Sequence, residues 1–381
     1  MAEYAFEQGP IRPPSEAGSL LLRVSRNCAW NRCTFCPLYK GQKFSLRPVA
    51  DVVRDMETVA DNVGRIRELH ESADGESFKK RLRTFYYQLP EAERPAMLAA
   101  IKWFEQGMTG IFLQDADALL GGTRRLKPIL DALQRCFPWR PRLTCYSRSA
   151  TVLRYSVQEL QDLARGGLDR LHLGLESGCD EVLQAVAKGA TQAMHIQAGQ
   201  RIKAAGIELC VYLMPGLGGT ALSTPHALAS AAAINAINPD FVRLRTLAVV
   251  AGTPLDEAWL AGQFEWCDSL TLVRELLTFF NALGDIQSRI ESDHALNLFE
   301  DLAGAWPQEG TRIKAMLQRY LDLDPQTRTF YLLGRRCGQF RGLGDLKNVE
   351  RMAAVRKLAE EADITPENIE EVCRELTRRM I

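Results

Sequence analysis

Cys28, Cys33 and Cys36 stand in the segment SRNCAWNRCTFCPLYKG, directly after an apolar run at 20–24. Thiolates are soft metal ligands, and three at this spacing hold a metal while leaving it incompletely ligated. A structural zinc site wants four closed ligands, usually as paired Cys-x-x-Cys knuckles. No second such pair occurs in the sequence, and the next cysteine, Cys136, falls on a predicted helix. Each iron of a four-iron cubane needs one ligand besides its bridging sulfides, so three cysteines leave one iron open to a small molecule. An open iron implies catalysis rather than scaffolding. The missing second pair also argues against an auxiliary cluster.

Such a loop needs a frame, and the hydrophobic pattern supplies one. A short buried strand at 20–25 precedes the cysteines, and PVADVVRDMETVADNV follows with helical spacing and proline at its start. The unit repeats as TGIFLQ (109–114), then a helix RRLKPILDALQRCF that Thr123 is placed to cap. It repeats again as RLTCYS (142–147), followed by Ser156 and Glu159, a capping box for a helix that Gly166 and Gly167 end. Further strands are expected at 169–177, 207–214 and 241–250, and DIQSRIES is placed to extend the wall. Strands alternating with helices demand parallel pairing with crossovers. The fold class expected is α/β, an open partial (β/α)6 TIM-type barrel whose active site gathers where the strands end, as the cysteine loop does. Outside the repeat lie a charged helical insertion at about 65–108, expected to form a hairpin lid, and a mainly helical C-terminal region. The expected organisation is an N-terminal extension (1–18), a core barrel (19–255) and the C-terminal region (256–381).

From Cys28 to about Pro254 the chain resembles the radical S-adenosylmethionine (SAM) superfamily. The resemblance rests on the three-cysteine loop with Phe35 between its last two cysteines, on FLQDADALLGG, LHLGLESG and LMPGLGG at strand ends, and on AGTPL after the sixth strand. Two departures stand out. Four residues rather than three separate Cys28 from Cys33, and the second strand ends in Gln114, Asp115, Ala116 and Asp117 instead of a glycine-rich stretch with a glutamate. The resemblance implies a 4Fe-4S cluster on Cys28, Cys33 and Cys36, with SAM bound to the open iron through its amino and carboxylate groups. A one-electron donor such as a flavodoxin or ferredoxin is then required, and reductive cleavage of SAM yields a 5'-deoxyadenosyl radical that attacks a small-molecule or peptide substrate.

The resemblance also distributes cofactor roles. Asp115 or Asp117 would hold the SAM amino group, Glu176 a ribose or ammonium group, Lys188 the SAM carboxylate, and Met214 with its glycine loop the adenine. Arg243 and Arg245 alternate along the sixth strand and face either a cofactor or substrate carboxylate or a structural ion pair. Asp293 and His294 suit substrate binding or proton transfer, although Asp293 also reads as an N-cap of HALNLFEDL. Tyr146 and Arg148, where the third strand ends, are further substrate candidates. His172 reads as core, and His70, His195 and His226 as helix surface or packing residues. LMPGLGGTA fits a loose dinucleotide loop, but no acidic residue follows the next strand as that chemistry requires.

Bulk properties narrow the remaining choices. With 381 residues and 46% hydrophobic composition the chain can bury a large core. Forty-seven basic and 47 acidic residues cancel, so no net field draws it to nucleic acid or an anionic membrane. A local basic run from Phe78 to Arg83, flanked by Phe85, Tyr86 and Tyr87, reads as the solvated face of an amphipathic helix or as a stacking surface for RNA. Nucleic acid is not the expected partner. The N-terminus lacks an apolar signal core and no apolar stretch is long enough to span a bilayer, so a cytoplasmic location with reduced thiols is expected. A cobalamin cofactor is not expected either, since the first strand begins at residue 20. Two alternatives remain: a coproporphyrinogen dehydrogenase-like or RNA-modifying member of the superfamily, and a non-catalytic metal-binding docking module.

Overall fold

Alternating apolar strands and amphipathic helices organise the computed structural model, which describes residues 5–72 and 74–379. Two compact units divide the chain. The first holds the described residues up to Ala29, then Gly41–His172 and Arg201–Glu208; the second holds Trp30–Lys40, Leu173–Gln200 and the described residues from Leu209 onward.

In the first unit β1 (Leu20–Arg23) pairs in parallel with β4 (Gly110–Gln114), which pairs in parallel with β5 (Arg142–Ser147). Every residue of β4 is buried, as expected of a strand covered on both faces. A small antiparallel ribbon, β2 (Ser25–Arg26) with β3 (Ser45–Leu46), carries the chain away from the sheet. The helices are α1 (Val49–Glu71), α2 (Gly75–Gln88), α3 (Arg94–Glu105), α4 (Thr123–Cys136), α5 (Ser149–Val152) and α6 (Val157–Arg165). Leu126, Ile129, Leu130 and Leu133 form the buried stripe of α4, at the spacing that puts them on one helix face.

β6 (Leu168–Glu176) begins in the first unit and ends in the second, and α8 (Gln192–Ala204) is likewise shared. The second unit continues with α7 (Asp180–Ala185), β7 (Glu208–Leu213), α9 (Ser223–Ile237), β8 (Phe241–Leu244), α10 (Pro254–Leu260) and α11 (Ser269–Ala282). It ends with β9 (Ser288–Glu291), β10 (Gly304–Trp306), α12 (Gly310–Leu321), α13 (Pro325–Arg336), α14 (Val349–Glu361) and α15 (Ile369–Arg379). β7 pairs in parallel with β8 and β8 with β9, whereas β9 and β10 run antiparallel. The strand order is β1-β4-β5-β6-β7-β8-β9-β10, so successive strands of the sheet are sheet neighbours, the arrangement of an open (β/α) barrel wall. Among the described residues no helix is long and apolar enough to cross a membrane.

The capping box is present: the Ser156 hydroxyl accepts from Glu159 N at 3.2 Å, and the Glu159 carboxylate accepts from Ser156 N at 2.8 Å. The extension of the wall by DIQSRIES is present as β9. Several local expectations are corrected. Thr123 does not cap α4; Gly122, at φ 78°, precedes the helix and no side chain caps it. The strand expected over 241–250 stops at Leu244, and the chain beyond it keeps only bonds such as Arg245 N to Leu213 O (3.0 Å) and Leu247 N to Pro215 O (2.9 Å). Asp293 caps no helix, because residues 292–300 form none. Lys188 lies beyond α7, which ends at Ala185. The first strand leaves the main sheet after Arg23, and α1 runs on to Glu71 where the sequence suggested an earlier end.

Candidate active site

Beyond β2 the cysteine loop begins at Asn27, whose backbone is left-handed (φ 65°) and whose N donates to Asp115 Oδ2 at 3.4 Å. Cys28 follows in the first unit; Cys33 and Cys36 belong to the second. Cys36 N donates to Cys33 O at 3.3 Å, closing the tight turn that a two-residue spacing allows. Thr34 inside that turn is pinned twice, donating from its N to Val186 O (3.0 Å) and accepting on its O from Leu255 N (3.1 Å). Phe35 packs against a buried cluster that includes Met214, Leu217, Leu255 and Trp266. The Trp30 indole donates to Ala187 O at 2.8 Å, and its ring lies against Gly189, where a Cβ would come within 2.2 Å of it. Among the described residues no three His, Cys, Asp or Glu side chains meet as a metal-holding group, so the ligand assignment stands on residue type and spacing. All three thiols are half-buried, accessible enough to take up iron, and three thiolates are the donor chemistry a 4Fe-4S cluster needs.

At the end of β4 the unusual motif is engaged by the chain itself. Gln114 accepts from Gly9 N (2.9 Å) and donates to Gly9 O (2.9 Å) and Ile11 O (2.6 Å), seating the N-terminal segment as a strap. Asp115 is fully buried and accepts from Arg23 Nε at 2.7 Å. Glu7, from the same strap, bridges Arg23 (2.7 Å) and Arg26 (2.8 Å). Asp117 accepts from the hydroxyls of Ser147, at 2.9 Å, and Thr151. Burial raises its carboxyl to about 6 against the opposing pull of those hydroxyls and Arg148. Tyr146 of β5 meets the rings of Phe112 and His172 edge-on, at 5.2 and 5.6 Å.

The ends of β6 and β7 hold the tightest arrangement. Glu176 ends β6 with φ 64°, and Lys188 Nζ donates to its Oε1 at 2.9 Å. Both lie over Gly174, where a Cβ would fall 2.5 Å from Glu176 Oε1 and 3.0 Å from Lys188 Nζ. Only a residue without Cβ leaves room for this carboxylate and ammonium. Met214 N donates to Glu176 O at 2.9 Å, tying the two strand ends together.

Beneath them lies a buried network that the sequence did not reveal. Ser177 Oγ and His226 Nδ1 are 2.7 Å apart, His226 Nε2 is 3.2 Å from Met214 O, and Ser177 Oγ accepts from Cys179 N at 2.9 Å. Burial lowers His226 to about 4, so the ring is neutral. A carbonyl can only accept, so Nε2 carries the proton and Nδ1 accepts from the Ser177 hydroxyl. The helical spacing of TPHALAS reads His226 as a packing residue; its hydrogen bond to Ser177, about fifty positions upstream, is one that no local pattern shows.

Glu275 completes the network, accepting from Gly216 N and Ser223 Oγ, each at 2.7 Å. Burial raises its carboxyl from 4.5 to about 7. Between those values the folded chain keeps a proton that the unfolded chain has lost, so stability must fall as pH rises through the window. Glu275→Gln is therefore expected to match the parent near pH 4.5 and to outlast it by pH 7.5, by on the order of 3 kcal/mol. Urea midpoints of both proteins across that range test this, and parallel curves would contradict it.

Past β8 Arg243 has an in-chain partner, Asp293. His294 is lowered to about 4 by burial and by the charge of Arg245. Asn297 holds the adjoining turn, accepting from Thr246 N (2.8 Å) and donating to Leu244 O (2.8 Å).

A tRNA uridine(34) acetyltransferase of Methanocaldococcus infernus is 29% identical over 111 residues, which are 29% of this chain and 21% of that protein. The chain thus spans about a fifth of the length of the curated relatives it matches. Among solved structures, the archaeal Methanocaldococcus infernus Elp3 with an N-terminal deletion aligns with TM-score 0.41 and 19% identity, over 52% of this chain and 51% of that one. The radical SAM methyltransferase TsrM from Kitasatospora setae, with cobalamin and a 4Fe-4S cluster bound, aligns with TM-score 0.44 and 15% identity, over 90% and 61%. The family model of the radical SAM superfamily matches residues 22–231, more than half of the sequence, and the chain belongs to that superfamily.

Proposed function

We propose that this radical SAM enzyme holds its 4Fe-4S cluster on Cys28, Cys33 and Cys36 and acts on a small-molecule or peptide substrate. We assign the catalytic core to residues 19–255, with 1–18 as an extension and 256–381 as an appended region. When bound and reduced, the cluster supplies the electron that breaks a carbon–sulfur bond of SAM, leaving methionine and a 5'-deoxyadenosyl radical that takes a hydrogen atom from the substrate. The chain's own residues bind and orient. The observation that carries the reading is the cysteine turn itself, pinned on both sides of Thr34 and anchored by Phe35.

Glu176 and Lys188 present a carboxylate and an ammonium side by side. A bound amino acid offers the complementary pair, so the two side chains can exchange partners, Glu176 accepting from an ammonium or ribose and Lys188 donating to a carboxylate. Met214, beside the glycine loop, supplies an apolar polarisable surface for adenine. Asp115 and Asp117 are both committed to in-chain donors, which favours their acting as organisers of the β4 end over direct contact with SAM. In the second unit Arg245 and His294 are the substrate candidates, with Asp293 engaged by Arg243; Tyr146 and Arg148 are candidates on the first unit.

A second reading, an RNA substrate, is favoured by the acetyltransferase relatives, whose name specifies tRNA, and by the exposed basic face of α2. There Lys79, Lys80, Arg81 and Arg83 accompany Tyr87, which is 61% exposed with the Arg83 guanidinium 6.0 Å over its ring.

Anaerobic purification, iron and sulfide analysis, and reduction in the presence of SAM are expected to yield methionine and 5'-deoxyadenosine in equal amounts. An intact cluster that forms neither would overturn the proposal. Stimulation of cleavage by bulk tRNA, and not by peptide or metabolite pools, would select the RNA reading.

A further inference from the structure

The last helix carries Glu370, Arg374 and Arg378 at four-residue intervals, the spacing of one helix face. All three dock onto the segment from α10 to the start of α11. Glu370 accepts from Ser269 N (3.1 Å) and the Ser269 hydroxyl, Arg374 donates to Trp266 O (3.2 Å), and Arg378 Nη2 lies 2.9 Å from Asp256 Oδ1. The Arg378 guanidinium also sits 5.0 Å from the centre of the Trp259 ring. Asp256 is buried, at 4% exposure, and the Arg378 guanidinium is the cation beside it. Its other oxygen accepts from Gly252 N at 3.0 Å, and its own N donates to Thr253 Oγ1 at 3.2 Å, which together fix the first turn of α10.

That first turn reaches the cysteines. Leu255 N, one residue before Asp256, donates to Thr34 O between Cys33 and Cys36, and Leu255 with Trp259 packs in the same buried cluster as Phe35. A continuous set of contacts therefore runs from Arg378 through Asp256 and Leu255 to Thr34. We propose that α15 is a latch and Arg378 a positioning residue, which together hold the Cys33–Cys36 turn in its ligand-ready shape from the far end of the chain. The proposal rests on the assignment of Cys33 and Cys36 as cluster ligands. Release of α15 removes the Arg378 partner of Asp256, loosens the first turn of α10, and frees one of the two backbone anchors of Thr34.

Thiol alkylation of the full-length, cluster-free protein, read cysteine by cysteine by mass spectrometry, tests the latch before any metal is present. Arg378→Ala is expected to speed alkylation of Cys33 and Cys36 about fivefold while buried Cys210 stays protected, as local opening requires. Arg378→Lys, which keeps the charge, should return most of that protection. In an Asp256→Asn background the effect of Arg378→Ala should shrink, because the two residues act through one contact. Unchanged rates at Cys33 and Cys36, or a rise shared equally by Cys210, would overturn the latch. The iron and sulfide content of the loaded parent protein decides the cluster reading separately, so failure of one is distinguishable from failure of the other.

Discussion

Cys33→Ala is expected to lose the cluster and, with it, SAM cleavage by roughly three orders of magnitude or more, because two thiolates cannot retain the cubane at catalytic occupancy. Two later cysteines are placed in other elements. Cys136 lies on α4, and Cys179 is buried in the apolar cluster under the β7 loop. Exposed Cys337 provides the control, since its replacement should leave iron content, visible absorbance and cleavage products unchanged. The fold should survive the loss of Cys33, as backbone bonds of Thr34 and the Trp30 indole hold the surrounding turn. Far-UV circular dichroism and the urea midpoint of the cluster-free protein check that point. A Cys33→Ala protein that assembles a normal cluster would remove the ligand assignment outright.

Gly178→Ala is expected to damage the site from beneath. The glycine follows Ser177 at the end of β6, and a Cβ there would fall 2.3 Å from Ala229 O and 2.7 Å from Ser230 Cα. Both are backbone atoms of α9, so no flexible side chain can yield and the helix itself must move. Its φ lies outside the left-handed region, which makes close approach, and not backbone strain, the reason for glycine here. Displacing α9 stretches the Gly178 N to Ser230 Oγ bond of 2.9 Å and the Ser177–His226 contact of 2.7 Å. Overpacking of this kind costs about 1–3 kcal/mol and more where backbone is the obstacle, so a loss of about 3 kcal/mol is expected. Weaker SAM binding should accompany it, since His226 joins the loops that carry Glu176 and Met214. Urea unfolding and equilibrium binding of SAM to the loaded protein measure the two effects. A variant with parental stability and affinity would show that α9 accommodates the methyl group.

These expectations differ in how much of each could be read from residue order. The strand and helix alternation and the Ser156–Glu159 box are written in spacings of a few residues, and both are present, although β8 and α1 end elsewhere than those spacings suggest. The partners of charged and polar side chains are another matter. Asp293 looks like a helix cap from its neighbours alone, yet Arg243, fifty positions earlier, claims its carboxylate. Thr123 has the right chemistry for a cap, but Gly122 in a left-handed conformation turns the chain so that its hydroxyl makes no cap bond.

Residue order alone carries three thiols on one loop, glycines and acids where strands end, and an apolar rhythm that requires parallel strands with crossovers. It takes the folded chain to show that Gln114 and Asp115 serve the N-terminal strap and Arg23, that Glu176 pairs with Lys188 across Gly174, and that His226 joins two strand ends from below. Local propensity and ligand spacing act over a few residues. Burial, which makes each buried polar group find a partner wherever the fold offers one, acts over the whole chain.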